Sequence, residues 1–162
     1  MNKIILTDME PGINPTSEEL SNVVITRLGL MPRKKGSTEK MNNVLAELYE
    51  KAKKSNREKN PTEAIMTVEE MASLAGITRQ TMYDYLKRWL AIDFIVKSSF
   101  VDRENKVVVG YKLNGNTLEN AFEKAKARIL TNLDFTLKYI LELQKTIKNE
   151  KISSSSKSKD AE

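Results

Sequence analysis

The chain has no cysteine and no histidine among its 162 residues. The first absence removes disulfides, thiol nucleophiles and thiolate metal sites. The second removes imidazole ligands and every catalytic arrangement built on a histidine base. An all-carboxylate Mg²⁺ site stays open on composition alone, but no cluster of Asp or Glu sits beside a glycine-rich phosphate loop. The sequence therefore indicates no enzyme, no cofactor and no metal. Long apolar runs are also missing. None approaches the roughly 20 residues of a membrane-spanning helix, and the short apolar run in MNKIILTDMEPG does not make a secretory signal. The expectation is a cytoplasmic binding protein.

Apolar residues make up 40% of the chain, enough for a core, and the net charge is +5, which suits an anionic partner. Residues 1–30 carry 2 basic and 4 acidic side chains, residues 31–112 carry 16 and 11, and residues 113–162 carry 9 and 7. The positive excess therefore falls on the middle of the chain.

At the N-terminus, Pro11, Gly12 and Pro15 interrupt any long element. Thr16 or Ser17 caps a short helix to about Leu28, with Leu20, Val23, Val24 and Leu28 on one side and Gly29 ending it. This segment is expected to pack on the domain or on a partner subunit. Arg33, Lys34 and Lys35 form a basic loop, readable as a solvated linker or as an arm on phosphates. Ser37 then caps a helix from about Thr38 to Ser55, with Met41, Val44, Leu45, Leu48 and Ala52 in one apolar stripe. Lys53, Lys54, Arg57 and Lys59 at its end suit the helix dipole without any ligand. Ala64, Ile65 and Met66 form a candidate short strand.

The centre of the chain is Thr67 to Lys87, TVEEMASLAGITRQTMYDYLK. Thr67 and Glu70 form a capping box. Met71, Ala72, Leu74 and Ala75 supply the buried side of a short helix, and Ala72 lets a second helix cross closely. Gly76 takes the positive-φ turn, Ile77 plugs the angle, and Thr78 caps a second helix from Arg79 to about Ala91. Met82, Tyr85, Leu86 and Trp89 share the inner side of that helix, so Tyr85 and Trp89 belong to the core rather than to base stacking. Arg79, Gln80, Thr81, Tyr83, Asp84 and Lys87 face outward or flank the stripe.

This constellation resembles the helix-turn-helix family, with Ala72 as the small residue, Gly76 as the turn glycine, and Met71, Ala75, Ile77, Met82 and Tyr85 at the apolar positions. Two β-rich runs follow, Ile92 to Val101 and Val107 to Leu113, separated by the polar turn Asp102 to Lys106. They read as a hairpin, and in this position the hairpin resembles the wing of winged helix-turn-helix proteins. In that family a short strand before the motif completes the sheet, a role for Ile65 and Met66. The family often has Gly where the second helix gives way to the wing strand. Here Asp93 must take that turn, which Asp does more readily than most residues.

Thr117 caps a long helix to about Lys151, with Asn120 at its start. Phe122, Ala125, Ile129, Leu133, Leu137, Ile140, Leu143 or Gln144, and Ile147 make its stripe. Such a rod, about 50 Å at 1.5 Å per residue, is more than a domain of about 80 residues can cover. A partner helix from a second subunit is the simplest supply, and folding back as monomer core is the alternative. The stripe is not a strict heptad, so helical packing is expected rather than a regular long coiled coil. The tail SSSSKSKDAE reads as disordered. The expected class is mainly α with a small β-hairpin wing, a winged helix-turn-helix plus a long C-terminal helix. It divides into an arm (1–36), a winged domain (37–113), a dimerisation helix (117–151) and a tail (152–162).

The resemblance covers about residues 37–113. It implies that the second helix enters the major groove of double-stranded DNA with its N-terminal residues at base edges. Arg79, which can pair with guanine, and Gln80, which can pair with adenine, lead the candidates, with Thr81 and Tyr83 behind them. Thr78, Lys87 and Arg88 are placed on phosphates, together with Arg33, Lys34 and Lys35 if the basic loop is an arm. The Thr81 hydroxyl also suits a phosphate, and Arg88 has Asp84 as an alternative partner. Arg103 and Lys106 at the wing tip would reach the minor groove or its phosphates. A homodimer joined through Phe122, Ile129, Leu133, Leu137, Ile140 and Ile147 would read an inverted repeat. The expected function is a sequence-specific, nucleoid-associated transcriptional regulator of repressor type. The alternatives are a plasmid-partition or architectural adaptor that coats DNA and recruits a partner, and a winged-helix module for protein interaction.

Overall fold

The fold is given by a computed structural model that describes residues 3–31 and 40–160. It is mainly helical, with one antiparallel hairpin and a long C-terminal helix. The order is α1 (Ser17–Arg27), α2 (Met41–Glu58), a short 3₁₀ turn (Pro61–Ala64), α3 (Val68–Ala75), α4 (Arg79–Ala91), β1 (Ile95–Val101), β2 (Val107–Leu113) and α5 (Leu118–Asp160). The chain divides into two compact units, Met1–Lys126 and Ala127–Glu162.

The N-terminal segment is part of the first unit. Thr16 caps α1 through the Glu19 N–H. The preceding strand of chain folds back, with Thr7 N–H donating to the Arg27 carbonyl at 3.0 Å and the Arg27 guanidinium donating to the Met9 carbonyl at 2.7 Å. Gly29 closes α1 at φ +63°, with the Ile5 carbonyl where a Cβ would stand. Ile25 and Leu30 are fully buried. Two side chains of α4 hold this segment. The Trp89 indole N–H donates to the Leu30 carbonyl at 3.0 Å, and Arg88 donates to the Gly29 carbonyl at 3.1 Å. Of the four apolar residues expected on one side of α1, Val23 and Leu28 are buried, whereas Leu20 and Val24 are exposed. Those two instead border an apolar cavity of about 730 Å³ between α1, α2 and the first turn of α5, together with Leu45, Tyr49, Phe94 and Phe122.

The expected stripe of α2 is buried throughout: Met41, Val44, Leu45, Leu48 and Ala52. Its ends differ from expectation. Ser37 and Thr38 lie outside the described residues, and the helix begins at Met41, after Lys40, which has a non-helical backbone and donates its N–H to the Ala75 carbonyl at the end of α3. It continues past Ser55 to Glu58, since nothing breaks it before Lys59, which turns left-handed at φ +52°, and Pro61.

α3 is capped by Thr67, whose oxygen accepts from the Glu70 N–H at 3.2 Å, and ends at Gly76 with φ +68°. Val68, Met71, Ala72 and Ala75 are buried. Leu74 does not join them and is exposed. At 100° per residue it sits far round the helix from the centre of that set. Thr78 caps α4, and Met82, Tyr85, Leu86 and Trp89 form its buried side. Trp89 packs edge-on against Phe94, ring centroids 5.8 Å apart.

Asp93 takes the left-handed conformation at φ +59° and turns α4 into β1, which starts at Ile95 rather than Ile92. The hairpin register runs from Ile95↔Leu113 to Val101↔Val107. In its turn, the Asp102 carboxylate accepts from the Glu104 and Lys106 N–H groups, both at 2.9 Å. The strand expected at 64–66 reduces to one bridge, Met66↔Tyr111, because residues 61–64 form the 3₁₀ turn. Gly110 permits that bridge, since a Cβ there would fall on the Met66 carbonyl and on Ile65. Gly110→Ala is expected to lower stability by about 1–3 kcal/mol through overpacking, read from chemical denaturation. An unchanged midpoint would show that the bridge is dispensable.

α5 is longer than expected. It runs 43 residues to Asp160, about 65 Å at 1.5 Å per residue, and takes in most of the tail that reads as disordered. Ser153–Ser156 carry no strong breaker, and Lys157 and Lys159 sit in the last turn, where the helix dipole favours cations. In the first unit, Ala121 and Ala125 are its buried contacts, and Phe122 is 40% exposed.

Candidate nucleic-acid interface

The outward side of α4 collects Arg79, Gln80, Tyr83 and Lys87 of the expected contact residues on one rigid element. Its inner side is anchored by Met82, Leu86 and Trp89, all at most 1% exposed. Arg79, Gln80, Tyr83, Asp84 and Lys87 are exposed, whereas Thr81 and Arg88 are half-buried. Arg79 is held from two sides. Its Nη2 donates to the Tyr83 hydroxyl at 3.2 Å, and its Nε lies 3.3 Å from the Glu69 carboxylate on α3. The hydrogen bond to Tyr83, followed by the charges of Tyr83 and Glu69, raises the Arg79 pKa above the ordinary guanidinium value. The guanidinium also stands over the Tyr83 ring, 5.6 Å from its centroid. Arg79 is thus oriented before any ligand arrives, beside a carboxylate that an anion would have to displace.

The two threonines are occupied locally. The Thr78 oxygen accepts from the Thr81 N–H at 3.2 Å, and its hydroxyl donates to the Thr81 hydroxyl at 3.0 Å. The Thr78 hydroxyl proton is thereby used within the helix. Lys87 lies 3.7 Å from the Asp84 carboxylate. Arg88 does not pair with Asp84, and its bond to the Gly29 carbonyl gives it a structural task. Arg103 and Lys106 are both exposed at the hairpin turn, with Lys106 3.4 Å from Glu104. Exposed pairs of this kind are weak and are released readily by a competing anion. Arg33, Lys34 and Lys35 lie outside the described residues.

Five residues of the hairpin were not singled out by the sequence. Lys97 is exposed on β1 opposite Tyr111, and the alternation of that strand is the signal that points to it. Tyr111 is buried. Burial, followed by the interaction with Tyr83, raises its phenol pKa above the ordinary value. Val101, Val107 and Val109 are exposed on the hairpin, a small apolar patch next to its basic turn.

In the second unit the described residues of α5 are exposed, apart from half-buried Ile129. Leu133, Leu137, Ile140 and Ile147 of the expected stripe are each about half-exposed, and so are Leu130 and Leu141 beside them. Phe135, Tyr139 and Leu143 are exposed too, and helical spacing places Phe135 and Tyr139 on the other side of the rod.

Among the described residues no helix is long and apolar enough to cross a membrane, and no group of three acidic residues is placed to hold a metal ion. No protein-family model, curated protein or solved structure matches this chain.

Proposed function

We propose that the chain is a winged helix-turn-helix protein that binds double-stranded DNA sequence-specifically and acts as a homodimeric transcriptional regulator of repressor type. The observation that carries this reading is the α3–Gly76–α4 unit, which presents Arg79, Gln80 and Tyr83 on one exposed side of a helix with a buried back, followed directly by a hairpin with a basic turn. In this reading the N-terminal half of α4 enters the major groove. Arg79 leaves Glu69 for a guanine edge, Gln80 addresses an adenine, and Lys87, Lys97, Arg103 and Lys106 meet phosphates. Two copies joined through α5 place two such helices on one face of the duplex and read an inverted repeat. The activity is binding, not catalysis.

The test is selection of bound duplexes from a random pool, followed by a salt titration on the winning site. Arg79→Ala is expected to weaken that site by roughly 5- to 150-fold and to relax preference at one base pair. Lys106→Ala should weaken all duplexes alike and reduce the salt slope by about 1. Equal affinity of Arg79→Ala and wild type would remove the recognition role from this helix. The exposed Val101, Val107 and Val109 favour a second reading, a module that docks on a protein through the hairpin. Absence of binding to any duplex at low salt would turn the assignment to that reading.

A further inference from the structure

A second cavity, of about 440 Å³, lies in the first unit where the end of α2, the base of the hairpin and the start of α5 meet. Three lysines from three elements line it: Lys59 after α2, Lys112 on β2 and Lys124 on α5. No carboxylate lines it, and none forms an ion pair with any of the three among the described residues. Elsewhere on the unit Lys53 pairs with Glu50, Lys54 with Glu63, Lys87 with Asp84 and Lys106 with Glu104. Asn56 and Asn116 add amide donors to the lining, and Asn114 accepts from Lys124 at 3.0 Å, which fixes that ammonium at the cavity wall. Three lysines lining one cavity with no carboxylate among the lining residues suit a multiply charged anion.

We propose that this cavity is a binding site for a compact ligand bearing two or more phosphate groups. Its volume falls within the range of small-molecule sites. No aromatic ring lines it to stack a base, and its apolar floor is only Ala52, Pro61, Ala64 and Leu113. The phosphates of a duplex are the other source of this chemistry, and the position of the cavity disfavours them. Asn114 bonds to Asp93 and Phe94, so the cavity sits beside the C-terminal end of α4. That end is about 18 Å from Arg79 along the helix. Lys112 is likewise about 17 Å along the strand from the hairpin turn. The site is therefore separate from the proposed duplex surface and does not depend on that reading.

Pyrophosphate, titrated into the full-length protein by calorimetry in low salt, is the direct probe. One saturable site per chain is expected. Lys59→Gln and Lys124→Gln should each weaken it about tenfold, as loss of a charge-assisted bond implies. Lys54→Gln, outside the cavity, should leave it unchanged, and circular dichroism checks that each variant is folded. Absence of saturable binding, or equal loss in Lys54→Gln, overturns the site. A duplex titration separates the two sources of phosphate. If Lys59→Gln and Lys124→Gln weaken duplex binding as much as they weaken pyrophosphate, the cavity serves the DNA backbone and the small-ligand assignment fails.

Discussion

Replacing Trp89 with Ala is expected to leave the first unit unfolded, or nearly so, at room temperature. Trp89 is fully buried, stacks edge-on with Phe94 and donates to the Leu30 carbonyl. Truncating a buried aromatic costs about 3–5 kcal/mol, and leaving a buried carbonyl unpaired adds about 1–3 kcal/mol. The sum is comparable to the whole stability of an ordinary domain, about 5–15 kcal/mol. Trp89→Phe separates the contributions, since it keeps most of the ring packing and removes only the donor, so a loss of about 1–3 kcal/mol is expected. Because Trp89 is the only tryptophan, unfolding is followed by circular dichroism. A thermal midpoint for Trp89→Ala within a few degrees of wild type would mean that the N-terminal segment is not part of the folded unit.

The second large effect concerns the long helix. If α5 joins two copies as proposed, the double variant Leu133→Lys, Leu137→Lys should sediment as a monomer at concentrations where the wild type is a dimer. Two copies would lose four leucines from the seam, about 6–12 kcal/mol at roughly 1.5–3 kcal/mol for each fully buried Leu. The half-exposure of these residues in the isolated chain is what makes the variant informative. No contact within the described chain buries them, so the substitution should not disturb the melting of the first unit. Affinity for an inverted repeat should fall toward that of a half-site. A wild-type chain that sediments as a monomer at tens of micromolar would end the dimer proposal without touching the major-groove assignment. The exposed Phe135 and Tyr139 give the same experiment a further outcome. A mass above the dimer would place a second helix on that side of the rod.

Local signals were legible wherever one or two residues decide the backbone. Thr67 and Thr78 cap, Gly76 turns, and Asp93 takes the left-handed corner that an Asp tolerates. The stripes of α2 and α4 read correctly because period 3.6 with large apolar residues has one outcome when a core is available. Arg79, Gln80 and Tyr83 could be placed on the outer side of α4 by the same reasoning. What stayed hidden depends on residues distant in sequence. The partner of Arg79 is Glu69 on another helix, the partner of Arg88 is a carbonyl 59 residues away, and Lys59, Lys112 and Lys124 share a cavity although no short stretch of sequence groups them.

The sequence by itself determined the elements, their caps and turns, and which side of α4 is buried, since these follow from backbone preferences and hydrophobic spacing within a few residues. Only the tertiary structure decided how the segment 3–31 packs on the first unit, through buried Val23, Ile25, Leu28 and Leu30. That outcome turns on one indole N–H and one guanidinium finding carbonyls in the loop after α1, a pairing that local sequence does not encode. It also decided that Lys59, Lys112 and Lys124 line one cavity with no carboxylate among its lining residues. That arrangement depends on how the chain returns on itself, not on any residue's own preference.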